Sequence, residues 1–257
     1  MKTIQEVLTK RLDIITSLYQ DYCNNPFESD LSHDLRVSLR ELRALFNIIK
    51  PAVQTEVYKE LSQALRDSGQ IFGPVREIDV LVASCSQLAY DQPTLTPYYY
   101  DLFHFLDIER RQEMRRTFNK TSVGLIEDTL KKTRQVIESL EDHVQDQDWD
   151  EFITKRLNKK YKKMQNAYED LNQDDYEAVH SLRKDAKKVR YGAKYFKKLV
   201  TIKTKHIRRV AESLQDELGK YTDRHVNLQL LEEFAKKAES EEVTAALTDI
   251  REYQNNQ

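Results

Sequence analysis

Residues 31–50 read Leu31-Ser32-His33-Asp34-Leu35-Arg36-Val37-Ser38-Leu39-Arg40-Glu41-Leu42-Arg43-Ala44-Leu45-Phe46-Asn47-Ile48-Ile49-Lys50. Leu35, Leu39, Leu42, Phe46 and Ile49 recur at helical spacing, so this stretch predicts an amphipathic helix stopped by Pro51. At about 100° per residue, His33, Arg36, Arg40 and Arg43 fall within roughly 80° of one another and form a cationic stripe beside the apolar arc.

The same grammar runs along the whole chain. Five glycines and five prolines in 257 residues, with 33% Asp, Glu, Lys and Arg, leave few turn signals for a β or doubly wound fold and much material for long helices. Punctuation divides the chain into roughly ten helices, and the predicted class is all-α. The first four run over about Thr3–Tyr22, Leu31–Lys50, a helix ending near Gly69, and one opened by Gly73-Pro74 and fading near Asp91. A long helix or helix pair then reaches about His143, bent near Gly124, followed by an acidic connector over Asp146–Asp150. The remainder predicts helices over about Trp149–Leu171, Asp175–Val200, Lys203–Gly219 and Tyr221–Ala238, and a short terminal one.

A chain of this length buries a core without staples, and Cys23 and Cys85 stand apart, as reduced thiols do. With no apolar run long enough for a bilayer and no secretory h-region after Met1-Lys2-Thr3-Ile4, the expected location is cytoplasmic, with no membrane partner. The net charge of −2 excludes a generally basic nucleic-acid binder. Yet from His180 to Arg209 there are twelve Lys or Arg against one acid, Asp185, which is a focused positive field and points to one anionic ligand at one place.

That segment repeats the opening stretch. His33-x-x-Arg36-Val37-x-x-Arg40-x-x-Arg43 returns 147 residues later as His180-x-x-Arg183-Lys184-x-x-Lys187-x-x-Arg190, with Lys194 and Lys198 prolonging the row. Leu182, Ala186, Val189 and Ala193 take its core side. Gly73-x-x-x-Glu77-x-Asp79-Val80 returns 146 residues later as Gly219-x-x-x-Asp223-x-His225-Val226. The chain therefore reads as two copies of one helical unit, about 3–146 and 147–257, packed as paired bundles. Lining a crevice with like charges costs free energy that an anion must offset, and the mixture of planar guanidinium forks and lysine point charges suits a chain of phosphates.

These motifs are similar to the paired signatures of the CHAD (conserved histidine α-helical domain) family, and Gly73-Pro-Val-Arg76-Glu-Ile-Asp79-Val80 resembles its next block. The resemblance covers about residues 3–240 as a single domain. It implies two pseudo-symmetric helical bundles around a central basic groove that holds inorganic polyphosphate, lined by His33, Arg36, Arg40, Arg43, His180, Arg183, Lys184, Lys187 and Arg190. Arg76 and Lys194 complete the candidate set. Glu77 stands where aspartate is more usual, and Tyr221-Thr222-Asp223 replaces the commoner Leu-Asn-Asp. Family members often carry a triphosphate-processing CYTH domain, but its Glu-x-Glu-x-Lys signature is absent here.

The expected function is therefore non-enzymatic polyphosphate binding, with polyphosphate granules as a cellular destination, no catalytic residue, no cofactor and no metal. Three rivals are weighed against it. A polyanion or RNA scaffold would suit the charge, but the rows lack interleaved aromatic residues for base stacking. A di-iron site is suggested by Glu177-x-x-His180 and Asp30-x-x-His33, but each acid sits where helix capping expects one and arginines crowd the place. A metal-dependent phosphohydrolase would need clustered carboxylates that are not visible. Lys155–Lys163 reads as a solvated face, Asp79 and the Glu77/Asp223 pair as caps or orienters of Arg76, and Arg110, Arg111, Arg115 and Arg116 as open candidates.

Overall fold

A computed structural model describes residues 3–140 and 149–256; for Lys220, Tyr221 and Asp223 it describes the backbone only. The described residues form ten α-helices and no strand: α1 Ile4–Asn24, α2 Ser29–Ile49, α3 Thr55–Ile71, α4 Gly73–Asp91, α5 Tyr99–Thr117, α6 Lys120–Ser139, α7 Trp149–Glu169, α8 Tyr176–Tyr195, α9 Thr204–Lys237 and α10 Glu241–Asn255. The all-α reading holds. None of these helices is long and apolar enough to cross a membrane.

Local chemistry explains most of the boundaries. Thr3 and Glu6 close a capping box on α1, each side chain accepting from the other's backbone N–H at 3.1 and 3.2 Å. Asp175 caps α8 by accepting from the Ala178 N–H at 3.0 Å, whereas α2 starts without a side-chain cap. Pro51 ends α2 as expected, through a 3₁₀ turn over Lys50–Ala52.

Three boundaries differ from expectation. The break before α6 falls at Phe118-Asn119 and not at Gly124, because the Asn119 side chain accepts from the Ser122 N–H at 2.8 Å and starts a new helix. Gly124 lies inside α6, with open space where a Cβ would be. Instead of two helices meeting at Gly219, α9 is one helix of 34 residues. A glycine costs a helix about 1 kcal/mol, but without a following proline it does not end one; Gly73 has Pro74 after it, and Gly219 has Lys220. Finally, α8 stops at Tyr195 and not near Val200. The expected helix end at His143 and the first part of the acidic connector lie outside the described residues; Trp149 and Asp150 already belong to α7.

Contacts divide the chain into two units, Met1–Gln70 with Val123–Thr222, and Ile71–Ser122 with Asp223–Gln257. Each unit draws on residues from both halves of the chain. In the second unit Leu81, Cys85, Leu102, Leu106, Leu231, Ala246, Leu247 and Ile250 form one core, with Phe105 edge-on to Phe234. In the first, α1 packs on α2, α2 on both α7 and α8, and α7 on α8. Leu157, Val179, Leu182, Ala186, Val189, Ala211 and Leu218 make a core shared by α7, α8 and α9. The apolar arcs read from sequence are the buried ones: Leu35, Leu39, Leu42, Phe46 and Ile49 on α2, and Leu182, Ala186, Val189 and Ala193 on α8, are all 4% exposed or less. Each large side chain so buried contributes about 1.5–3 kcal/mol, which is what fixes the outward angle of the cationic rows.

Candidate polyanion site

The first unit holds both cationic rows. His33, Arg36, Arg40 and Arg43 on α2, and His180, Arg183, Lys187 and Arg190 on α8, are all half-buried, while Lys184 and Lys194 are exposed. A solvated decorative face would leave such side chains in water. Arg76 stands in the first turns of α4, in the second unit, and is half-buried there.

The helices carrying the rows touch through small and polar residues. Gly192 of α8 lies so close to α2 that a Cβ added to it would sit 2.3 Å from Ile48 Cδ1 and 3.2 Å from Leu157 Cδ1. Further along, Glu41 of α2 accepts from Tyr195 Oη at 2.6 Å and from Lys194 Nζ at 3.2 Å. As numbers fall from Ile48 to Glu41 on α2 they rise from Gly192 to Tyr195 on α8, so the two helices run in opposite senses across the contact. His33 and His180 each stand on the N-terminal side of it.

Glu41 escaped the sequence reading. It is 3% exposed and collects Arg11 at 2.6 Å as well as Lys194 and Tyr195, while Arg11 also bonds Ser38 at 3.2 Å and lies over the Tyr195 ring, 4.7 Å from its centroid. Burial, and then the hydrogen bond to Glu41, push the Tyr195 phenol well above its ordinary value. Lys194 is thus tied to an acid inside the protein. Arg190 reaches Glu212 at 3.5 Å, and its Nε is buried with no hydrogen-bond partner among the described residues.

Burial, and after it neighbouring cations, act on two members of the rows. Burial, then Arg66, with Arg40 further on, lower the pKa of Arg43, against upward pulls from Tyr58 and Asp67. Burial and then Lys184 lower that of His180, against a smaller upward pull from Glu177; its ring stacks on Tyr176 and its Nδ1 has no hydrogen-bond partner among the described residues. No three of His, Cys, Asp or Glu group as metal ligands among the described residues.

Two other readings of basic residues resolve differently. In the second unit Arg110 donates to Asp79 at 2.6 Å, Arg111 to Asp107 at 2.8 Å, and Arg116 to Glu113 at 2.6 Å, so three of the four open arginines meet acids and Asp79 orients Arg110. The Asp223 side chain lies outside the described residues. On α7 the solvated-face reading fits Lys155, exposed and paired with Glu151, but not Arg156 or Lys160. Arg156 Nε donates to the Ile48 carbonyl at 3.1 Å and Lys160 Nζ to Asn47 Oδ1 at 2.6 Å, both at the C-terminal end of α2.

Against this geometry, a family model for the CHAD domain matches residues 7–232. The crystal structure of the CHAD domain from the plant Ricinus communis is similar with a TM-score of 0.77 at 18% identity, over 99% of this chain and 84% of that one, a likeness that speaks for the fold. No curated protein sequence matches the chain.

Proposed function

The chain belongs to the CHAD family, and from that premise we propose that it binds inorganic polyphosphate along the rows of α2 and α8 and does not turn it over. CHAD domains are polyphosphate-binding and generally non-catalytic. The finer reading, that this ligand sits on these residues, is ours. So is the cellular expectation of a cytoplasmic protein at polyphosphate granules.

One observation carries it, and it concerns handedness. At about 100° per residue, each row is turned roughly 100–130°, in the same rotational sense, from the residues that meet the partner helix: Glu41 and Ile48 on α2, Gly192 and Tyr195 on α8. Two parallel helices so arranged would send their rows to opposite sides. Two helices running in opposite senses bring them to the same side, which supports one ligand touching both.

A polyanion there offsets the mutual repulsion of the cations in the rows and supplies an acceptor to the His180 ring. Phosphate oxygens near His180 raise its pKa and so oppose the depression that burial and Lys184 impose. Lys194 contributes less than the rest, because Glu41 already holds it.

Calorimetric titration with long polyphosphate at two salt concentrations tests this. Arg40→Glu with Arg190→Glu is expected to lower affinity at least 100-fold with helicity unchanged, and binding by the unaltered chain should weaken steeply with salt. Retained affinity in the double variant sinks the proposal. So does displacement of polyphosphate by single-stranded RNA at equal phosphate concentration.

A further inference from the structure

The second unit turns an ordered set of side chains to water along α5. Leu102, Leu106 and Glu109 are buried there, while Tyr100, Asp107, Ile108, Arg111, Arg115 and the C-cap residue Phe118 are exposed. At about 100° per residue, these six fall within roughly 100° of one another, on the side away from the core. Tyr100 is 81% exposed, Ile108 41% and Phe118 39%.

Exposed apolar side chains standing singly need no explanation. Their order along the helix sets these apart. Tyr100 and Phe118 stand nine residues to either side of Glu109, and Asp107 and Arg111 stand two to either side. The stripe reads ring, acid, base, ring from one end, and ring, base, acid, ring from the other. A twofold axis through the middle of an antiparallel helix pair exchanges those two readings. It lays Tyr100 against Phe118 of a second copy and Asp107 against Arg111, and repeats both in reverse, which is the self-complementarity that an isologous interface requires.

Charge and shape agree with that pairing. Asp107 and Arg111 already pair within the helix at 2.8 Å, with both side chains 51% exposed, so two such pairs set in opposite senses make a ring of alternating charge. Beyond them Asp101 lies toward the N-terminus of α5 and Arg115 and Arg116 toward its C-terminus, so an acidic half meets a basic half and the helix dipoles oppose. The Tyr100 ring lies parallel to His104, with centroids 6.5 Å apart and planes at 6°, and offers an aromatic surface to a facing phenylalanine.

We propose that this face of α5 is a self-association surface, through which two copies of the chain pair in antiparallel with rings at the ends and charges between. One helix face buries less than a permanent dimer needs, so the dimer is weak, with a dissociation constant on the order of 10 µM. The surface belongs to the unit that does not carry the cationic rows, so it stands or falls apart from the polyphosphate proposal.

Sedimentation equilibrium of the full chain, without polyphosphate, is the test. Tyr100→Glu is expected to weaken dimerisation at least tenfold. Asp107→Arg and Arg111→Asp should each do the same, because two bases or two acids at the centre of the pair then meet their own kind. Mixed in equal amounts, those two variants should dimerise at least as tightly as the unaltered chain. That rescue cannot arise within one helix, where each variant keeps like charges four residues apart. Circular dichroism should show the same helicity for all four chains. An unaltered chain that stays monomeric at roughly ten times that dissociation constant overturns the proposal. So does a dimer that survives all three substitutions, or a mixture of the two charge variants that associates no better than either alone.

Discussion

Glu41 and Lys188 hold matching places in the duplicated sequence and face opposite electrostatic problems. Around Glu41 the charges cancel: one buried carboxylate collects Arg11, Lys194 and Tyr195 and so ties α1, α2 and α8 together. Around Lys188 the balance is looser: it pairs with the partly exposed Asp185, while Lys160 lies near enough for Lys188 and Arg156 to lower its pKa. The difference teaches that positions 147 residues apart can carry opposite charges, one a buried carboxylate that ties three helices together and the other a lysine held by a partly exposed aspartate.

The sharpest way to break the comparison is Glu41→Ala. It strands two cations beside a carboxylate-sized void, and breaking so buried a pair costs about 3–5 kcal/mol, read as a lower midpoint in urea unfolding with an unchanged slope. A loss below about 1 kcal/mol would mean that the neutral side is not a clamp.

Next comes pH. Because the Lys160 amine titrates near 8 in the folded chain and near 10.5 when unfolded, the unfolded state binds more protons between those values, and stability rises with pH across that window. Partial solvent exposure of the amine trims the full linkage to about 1 kcal/mol. The check is the difference between the unaltered chain and Lys160→Met, measured from pH 7 to 11, which cancels the opposing contribution of Tyr195, whose phenol resists ionisation in the fold.

The smallest effect is expected from Lys188→Glu, which gives the second copy the acid of the first. The position is about a third exposed and the substitution gives up its pair with Asp185, so the net change stays below about 1 kcal/mol. Lys160 should nevertheless titrate at a higher pH in that variant, which NMR of ¹³C-methylated lysines reads directly.

Much of this was legible in the sequence, for physical reasons. The rows were visible because cations three and four residues apart stay on one face whatever the tertiary structure, and the apolar arcs beside them set their direction. Glu41 was not visible, since its partners Arg11, Lys194 and Tyr195 lie 30, 153 and 154 residues away, and a lone acid within a basic helix looks like an ordinary surface residue. Lys160 was hidden in the opposite way, inside a run whose neighbour Lys155 really is solvated. Helix ends followed side-chain caps and proline more faithfully than glycine: Asn119 starts a helix that Gly124 does not interrupt, and Gly219 lies within a helix that was expected to stop there.

The opposed running of α2 and α8 has a consequence for the kind of thread the rows accept. Starting from His33 or from His180, a visitor travelling toward the contact meets the same succession: imidazole, arginine, a cation four residues on, arginine again. On the proposed reading, unbranched polyphosphate, which has no head or tail, meets both rows alike, whereas a nucleic acid, with distinct 5′ and 3′ ends, would meet one row in one polarity and the other in reverse whichever way it lay.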